Sequence, residues 1–109
     1  MIIRRKSRYI LVEASRDIDL SDRQVQADLS EGISRVIGNI GHVNASPKVM
    51  AQLNPRLFIL RVSRGFEGDV IIALAFTKEI KGSEIGLYTI RTSGSMLRLK
   101  EVAASQDAQ

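Results

Sequence analysis

Leu57-Phe58-Ile59-Leu60-Arg61-Val62-Ser63-Arg64 is the stretch on which the fold turns. Its centre is apolar at consecutive positions, so a strand built from it is buried on both faces, as interior strands are. Upstream, Asn54-Pro55 is a turn dipeptide. Before that turn, Val49, Ala51 and Leu53 alternate with Lys48, Met50 and Gln52, the period of a half-buried strand. The two strands therefore predict a hairpin. Downstream, Gly65 and Gly68 bracket a loop. Val70, Ile71, Leu74 and Ala75 then recur at helical spacing, predicting a helix that runs to Ile80 and stops at Gly82.

Arg8 to Ala14 reads as a first strand, rich in β-forming side chains. Ser21 with Gln24 three residues later makes a capping-box pattern. Val25, Leu29, Ile33, Val36, Ile37 and Ile40 follow at helical spacing, and Gly41 stands where a helix stops. The spacing predicts a helix over 21–40, with Gly32 and Gly38 as weak points. Ile85 to Thr92 reads as the last strand. Ser93-Gly94-Ser95 is a loop, and Met96, Leu97, Leu99 and Val102 predict a short terminal helix. Residues 1–7 read as a basic arm and 103–109 as a disordered polar tail. The order β-α-β-β-α-β makes one α+β domain over 1–109 of the ferredoxin-like, RNA-recognition-like kind. It predicts a four-stranded antiparallel sheet with two helices on one face and a short C-terminal helix.

At 109 residues, 44% hydrophobic and 26% charged, the chain suits one globular domain. It has no cysteine and one histidine, which excludes disulfide scaffolds, thiol chemistry and multi-histidine metal sites. The apolar run Tyr9 to Val12 ends at Glu13, too short for a signal-peptide core. No apolar run is long enough to span a bilayer, and a soluble, cytoplasmic chain without a membrane partner is expected. The formal net charge is +4, unevenly spread. Residues 1–12, 32–66 and 85–100 contain no acid, whereas acids crowd 13–31 and 67–84. On the predicted fold this separates an acidic helix layer from a basic sheet layer. A basic surface of this kind attracts phosphates.

Catalytic patterns are missing. His42, expected just past a helix end, has no nucleophile pattern beside it, and no G-x-x-x-x-G-K sequence occurs. Asp17 and Asp19 suit a turn better than a metal. Gly65-Phe66-Glu67-Gly68 has the spacing of a phosphate-clamping loop, but it follows a strand and carries an acid, so it reads as a plain turn. Tyr9 is the one residue left for stacking on a base. Two basic constellations remain as candidate phosphate contacts. One is the arm Arg4, Arg5, Lys6 and Arg8. The other lies at the strand ends: Arg61, Arg64, Arg91, Ser93, Gly94, Ser95, Arg98 and Lys100. Tyr9, Leu11, Ile59 and Arg61 fall on the sheet face away from the two helices. So apolar a face needs a cover, either the terminal helix or a protein partner.

The lead Arg4-Arg5-Lys6-Ser7-Arg8-Tyr9-Ile10-Leu11-Val12, the strand Phe58-Ile59-Leu60-Arg61-Val62-Ser63-Arg64, the helix Val70-Ile71-Ile72-Ala73-Leu74-Ala75 and the run Ile90-Arg91-Thr92-Ser93-Gly94-Ser95 with Arg98 and Lys100 stand in a distinctive order. Together they resemble the small ribonuclease P protein subunit shared by archaea and eukaryotes, the archaeal ribonuclease P protein component 2 family, over about residues 4–102. Val62 stands where that family often has cysteine, and Ser95 where it often has threonine. The resemblance implies a non-catalytic subunit that binds the ribonuclease P RNA and promotes removal of the 5′ leader from precursor tRNA. It implies that RNA and Mg2+ are the catalyst, the chain itself binding no cofactor. It further implies a barrel-type ribonuclease P protein as partner, in a dimer of heterodimers. Two other readings of the residues are a stand-alone ferredoxin-like ligand-binding or regulatory domain and a metal-dependent nuclease acting alone. Steeply salt-dependent RNA affinity separates the RNA-binding subunit from the ligand module.

Overall fold

In the computed structural model, residues 6–107 are described. The elements are β1 (Ser7–Ala14), α1 (Arg23–Ala45), β2 (Lys48–Asn54), β3 (Leu57–Ser63), α2 (Glu67–Phe76), β4 (Glu79–Ile80), β5 (Ser83–Glu84), β6 (Leu87–Ser93) and α3 (Met96–Asp107). The main sheet has the order β2-β3-β1-β6 and is antiparallel throughout. The expected architecture therefore stands, with β3 in the interior as its apolar centre requires. Leu57, Phe58, Ile59 and Leu60 are all buried.

The sheet has a core on each face. Ile10, Val12, Ala14, Phe58, Leu60 and Val62 pack against Val25, Leu29 and Ile33 of α1 and Val70, Ala73 and Leu74 of α2. On the other face, Leu11, Leu57 and Ile59 pack under Leu99 and Ala103 of α3. The molecule is thus three layers deep: α1 and α2, the sheet, then α3. Residues 103–107, expected as tail, belong to the helix, because Ala103 docks on the sheet and the flanking residues are helix-compatible.

α1 departs from the expected 21–40 at both ends. Its N-cap is Asp22, whose carboxylate accepts from the Gln24 N–H at 2.8 Å, not Ser21. At the other end Gly41 does not stop it. Instead the chain breaks at Gly38, with φ 77 and ψ 170, and becomes helical again through Ala45. The break is a sharp bend, because Ser30 Oγ lies 2.8 Å from His42 Nε2. Twelve residues of straight helix would separate those side chains by about 18 Å. His42 therefore clasps the bend from inside the last turn of α1, and does not lie past the helix end. The true stop is Ser46, at φ 47, whose N–H donates to the His42 carbonyl.

α2 ends at Phe76, not at Ile80. Thr77 is extended, and Glu79–Ile80 and Ser83–Glu84 pair as a small hairpin. Its two-residue turn, Lys81-Gly82, has positive φ at both positions, the geometry that such hairpins favour. Arg16 holds the hairpin from the side, donating to the carbonyls of Glu84 at 2.9 Å and Ile80 at 2.8 Å. Among the described residues no helix is long and apolar enough to cross a membrane.

Candidate RNA interface

The topology decides where the basic residues meet. β1 and β2 start, and β3 and β6 finish, at the same end of the sheet. The second limb of α1 ends there, and α2 and α3 begin there. Lys6, Arg8, Lys48, Arg61 and Arg64 collect at that end, with Glu67 and Asp69 as the acids of the first turn of α2. Glu13, Asp17, Asp19, Asp22, Glu79 and Glu84 lie toward the other end. Charge therefore separates along the strands, correcting the expected separation into layers. Two strands account for this: β1 runs from the acid-free residues 1–12 into the acid-rich 13–31, and β6 runs out of the acid-rich 67–84 into the acid-free 85–100.

The two ends also use their charges differently. Toward the acidic end, Arg56 Nε pairs with Asp17 at 2.9 Å and Lys81 Nζ with Asp22 at 2.6 Å. Hydrogen bonds from Lys81 and from the Gln24 N–H hold the Asp22 carboxyl below its ordinary range. The Ser21 hydroxyl and N–H do the same for Asp19, and Asp22 in turn raises Lys81. Arg35–Glu31 is the third ion pair among the described residues. None of the three involves Lys6, Arg8, Arg61, Arg64, Arg91, Arg98 or Lys100.

The register places each candidate. Lys48 pairs with Arg61, Arg61 with Tyr9, and Tyr9 with Ser93, one row across all four strands on the α3 face. The next row inward is Ala51, Ile59, Leu11 and Arg91. Arg91 is exposed at the β6 edge, where a bulge interrupts the pairing with β1. Arg8 pairs with Val62 and so faces the α1–α2 side, opposite Arg61. Its Nε is buried without a hydrogen-bond partner, and its Nη1 would lie 3.7 Å from a Cβ at Gly94. Arg64 is exposed just past β3, and its N–H donates to the Lys6 carbonyl at 2.8 Å. Arg98 and Lys100 are exposed on α3. Arg4 and Arg5 lie outside the described residues.

Two expectations change. The Ser93-Gly94-Ser95 loop closes on itself: the Ser95 N–H donates to Ser93 Oγ at 3.0 Å, and Ser95 Oγ accepts from the Arg98 N–H at 3.3 Å. It is a helix cap, and the Ser95 amide is already used. Leu11 and Ile59, expected on a partner-facing surface, are fully buried beneath α3, with Tyr9 half-buried beside them. The terminal helix is the cover that this face needed. Exposed large apolar groups occur on the α1–α2 layer, at Val36, Ile40 and Val43 of α1 and Ile72 and Phe76 of α2, and also at Tyr88 of β6 and Leu97 of α3. The bend at Gly38 takes Ile40 out of the helical stripe expected from the spacing, so that it is exposed with Val43 on the second limb of α1.

Among the described residues no three metal-ligating side chains come together. Similarity to known proteins agrees with the resemblance. Two archaeal proteins named "Ribonuclease P protein component 2" align over most of this chain. That of Methanocorpusculum labreanum is 26% identical over 99 residues, covering 91% of this chain and 67% of its own length. That of Pyrococcus abyssi is 28% identical over 105 residues, covering 95% and 89%. A chain of the yeast ribonuclease MRP cryo-EM structure shares the fold with a TM-score of 0.63 at 16% identity, covering 99% of this chain and 96% of that one. The sequence profile of the Rpp14/Pop5 family matches residues 8–104, and the chain belongs to that family.

Proposed function

We propose that this chain is the non-catalytic component 2 subunit of a cytoplasmic ribonuclease P, binding the holoenzyme's RNA and promoting 5′-leader removal from precursor tRNA. The observation that carries the reading is the basic sheet end. Among the described residues its arginines and lysines make no ion pair, whereas Arg35, Arg56 and Lys81 elsewhere in the molecule do. Unpaired guanidinium groups at converging strand ends suit phosphate oxygens, which they meet as forks. The names of the archaeal relatives support the same assignment. The reaction chemistry belongs to the RNA subunit and its Mg2+, and this chain contributes phosphate contacts and RNA organisation. The barrel-type ribonuclease P protein is the proposed partner, in a dimer of heterodimers. With the sheet face covered by α3, its docking surface falls on the helix layer around Val36, Ile72 and Phe76.

The test measures affinity for the cognate RNA subunit across a salt series, and precursor-tRNA cleavage at limiting Mg2+ with RNA and partner protein present. The intact chain is expected to raise the cleavage rate. Replacing Arg61 and Arg64 together by Gln is expected to flatten the salt slope by about 1.4, roughly 0.7 for each lost phosphate contact. An unchanged slope removes these two arginines from the interface. No gain in cleavage, with RNA and partner shown competent, overturns the function.

A further inference from the structure

At the basic end of the sheet lies a hollow of about 390 Å3 walled by Lys6, Asn44, Ser63, Arg64 and Phe66. Four elements build it. The Arg64 N–H to Lys6 carbonyl bond joins the start of β1 to the end of β3. The bend of α1 brings Asn44 in from the side. A turn at Gly65 then sets Phe66 at the head of α2. The Glu67 carboxylate is turned onto this loop, accepting from the Gly65 N–H at 2.7 Å, and is not part of the wall. Phe66 occupies the N-cap position without making a side-chain cap, so helix capping does not explain an aromatic residue there. Its ring packs in part on the α1–α2 core and in part lines the hollow.

The wall thus combines two exposed cations, no carboxylate and one aromatic ring, in a volume typical of small-ligand sites. That combination suits an unpaired nucleotide: a base has a face to stack on an aromatic ring, and its phosphate needs a nearby cation. The larger groove of about 470 Å3 between α1, α2 and the β4–β5 hairpin has the opposite character. Asp28, Glu31 and Glu79 there offset Arg35, Lys78 and Lys81. We propose that the smaller hollow takes one unpaired RNA nucleotide, its base against Phe66 and its phosphate at Lys6 and Arg64. The proposal rests on the RNA-binding reading above. It moves the stacking role from Tyr9, half-buried beside α3, to a residue of the loop first read as a plain turn.

The test uses the full chain and two fluorescent probes of equal charge, a uridine octamer and an abasic octamer, followed by anisotropy over a salt series. The octamer with bases is expected to bind about tenfold more tightly. Phe66→Leu is expected to bring the two probes together while leaving the salt slope unchanged, and Phe66→Tyr to restore the difference. Should Phe66→Leu prove unfolded by thermal melting, photocrosslinking of a 5-iodouridine octamer to the unaltered protein decides. A crosslink mapped to Phe66 upholds the site, and one mapped only elsewhere overturns it. Equal binding of both probes by the unaltered chain, or a preference surviving in folded Phe66→Leu, also overturns it. Equal but steeply salt-dependent binding removes the nucleotide site and leaves the RNA-binding function standing. No binding of either probe, with no gain in precursor-tRNA cleavage, removes both.

Discussion

Leu97 and Leu99 stand two residues apart on α3 and test how that helix is held. Leu99 is fully buried against Leu11, Leu57 and Ile59, whereas Leu97 is 67% exposed. Leu99→Ala removes buried methyl groups and leaves a cavity between helix and sheet, an expected cost of about 3 kcal/mol. Leu97→Ala removes only exposed surface and is expected to stay within about 0.5 kcal/mol of the parent. For a domain of this size each kcal/mol shifts the melting temperature by about 4 °C, so Leu99→Ala should melt about 12 °C lower. The assay is thermal unfolding of the three proteins by circular dichroism at one pH, with chemical denaturation to supply the free energies. Amide exchange in α3 should quicken in Leu99→Ala alone, since its docking contributes little without that side chain. A loss below about 1 kcal/mol for Leu99→Ala, or equal losses at the two positions, would refute the docking of α3 on the sheet.

Two further predictions concern α1. Asp22→Asn keeps an equally good cap for the Gln24 N–H but removes the charge that Lys81 meets at 2.6 Å. Because the Asp22 carboxyl titrates below the ordinary 3.8, its contribution is complete above that pH and is lost as pH falls through the lower folded value. The melting gap between parent and variant should therefore close below pH 3.8; a constant gap would show that the charge is not what is lost. Gly38→Ala meets no steric obstacle but forces a side chain into φ 77, ψ 170. It should cost about 1–3 kcal/mol in a chemical denaturation series and displace the His42 ring signals as the Ser30 bond is lost. A neutral substitution there would mean that the bend is not fixed.

Most of the architecture was legible because it rests on periodicity. β3 reads as interior from four consecutive apolar residues, and the covered sheet face follows from Leu11 and Ile59 sharing one side. What was not legible depended on individual backbone angles and tertiary contacts. Gly41 looks like a helix stop and Gly38 like a weak point within it, and only the packing of Ala45 into the core, with Ser30 reaching His42, makes Gly38 a bend and leaves Gly41 inside the helix. Ile80 keeps helical phase with Ala73, seven residues before it, by coincidence, since it packs on the same core from the hairpin. The Ser93-Gly94-Ser95 loop has the composition of both a phosphate loop and a helix cap, and only its hydrogen bonds show the cap and the use of the Ser95 amide. Phe66 was hidden because an aromatic between two glycines carries no periodic signal.

The separation of charge along the strands acts before any contact forms. Strands of seven or eight residues span about 25 Å, so cations gathered at one end of the sheet lie off its centre. A polyanion pulls on that end more strongly than on the other and exerts a torque on the whole molecule. At low ionic strength the field reaches about 30 Å, comparable to the protein itself, and rotation precedes collision. At physiological salt the reach shrinks to about 8 Å, and the same torque acts only in the last moments of approach. The arrangement therefore selects which end arrives first as well as how tightly it is held.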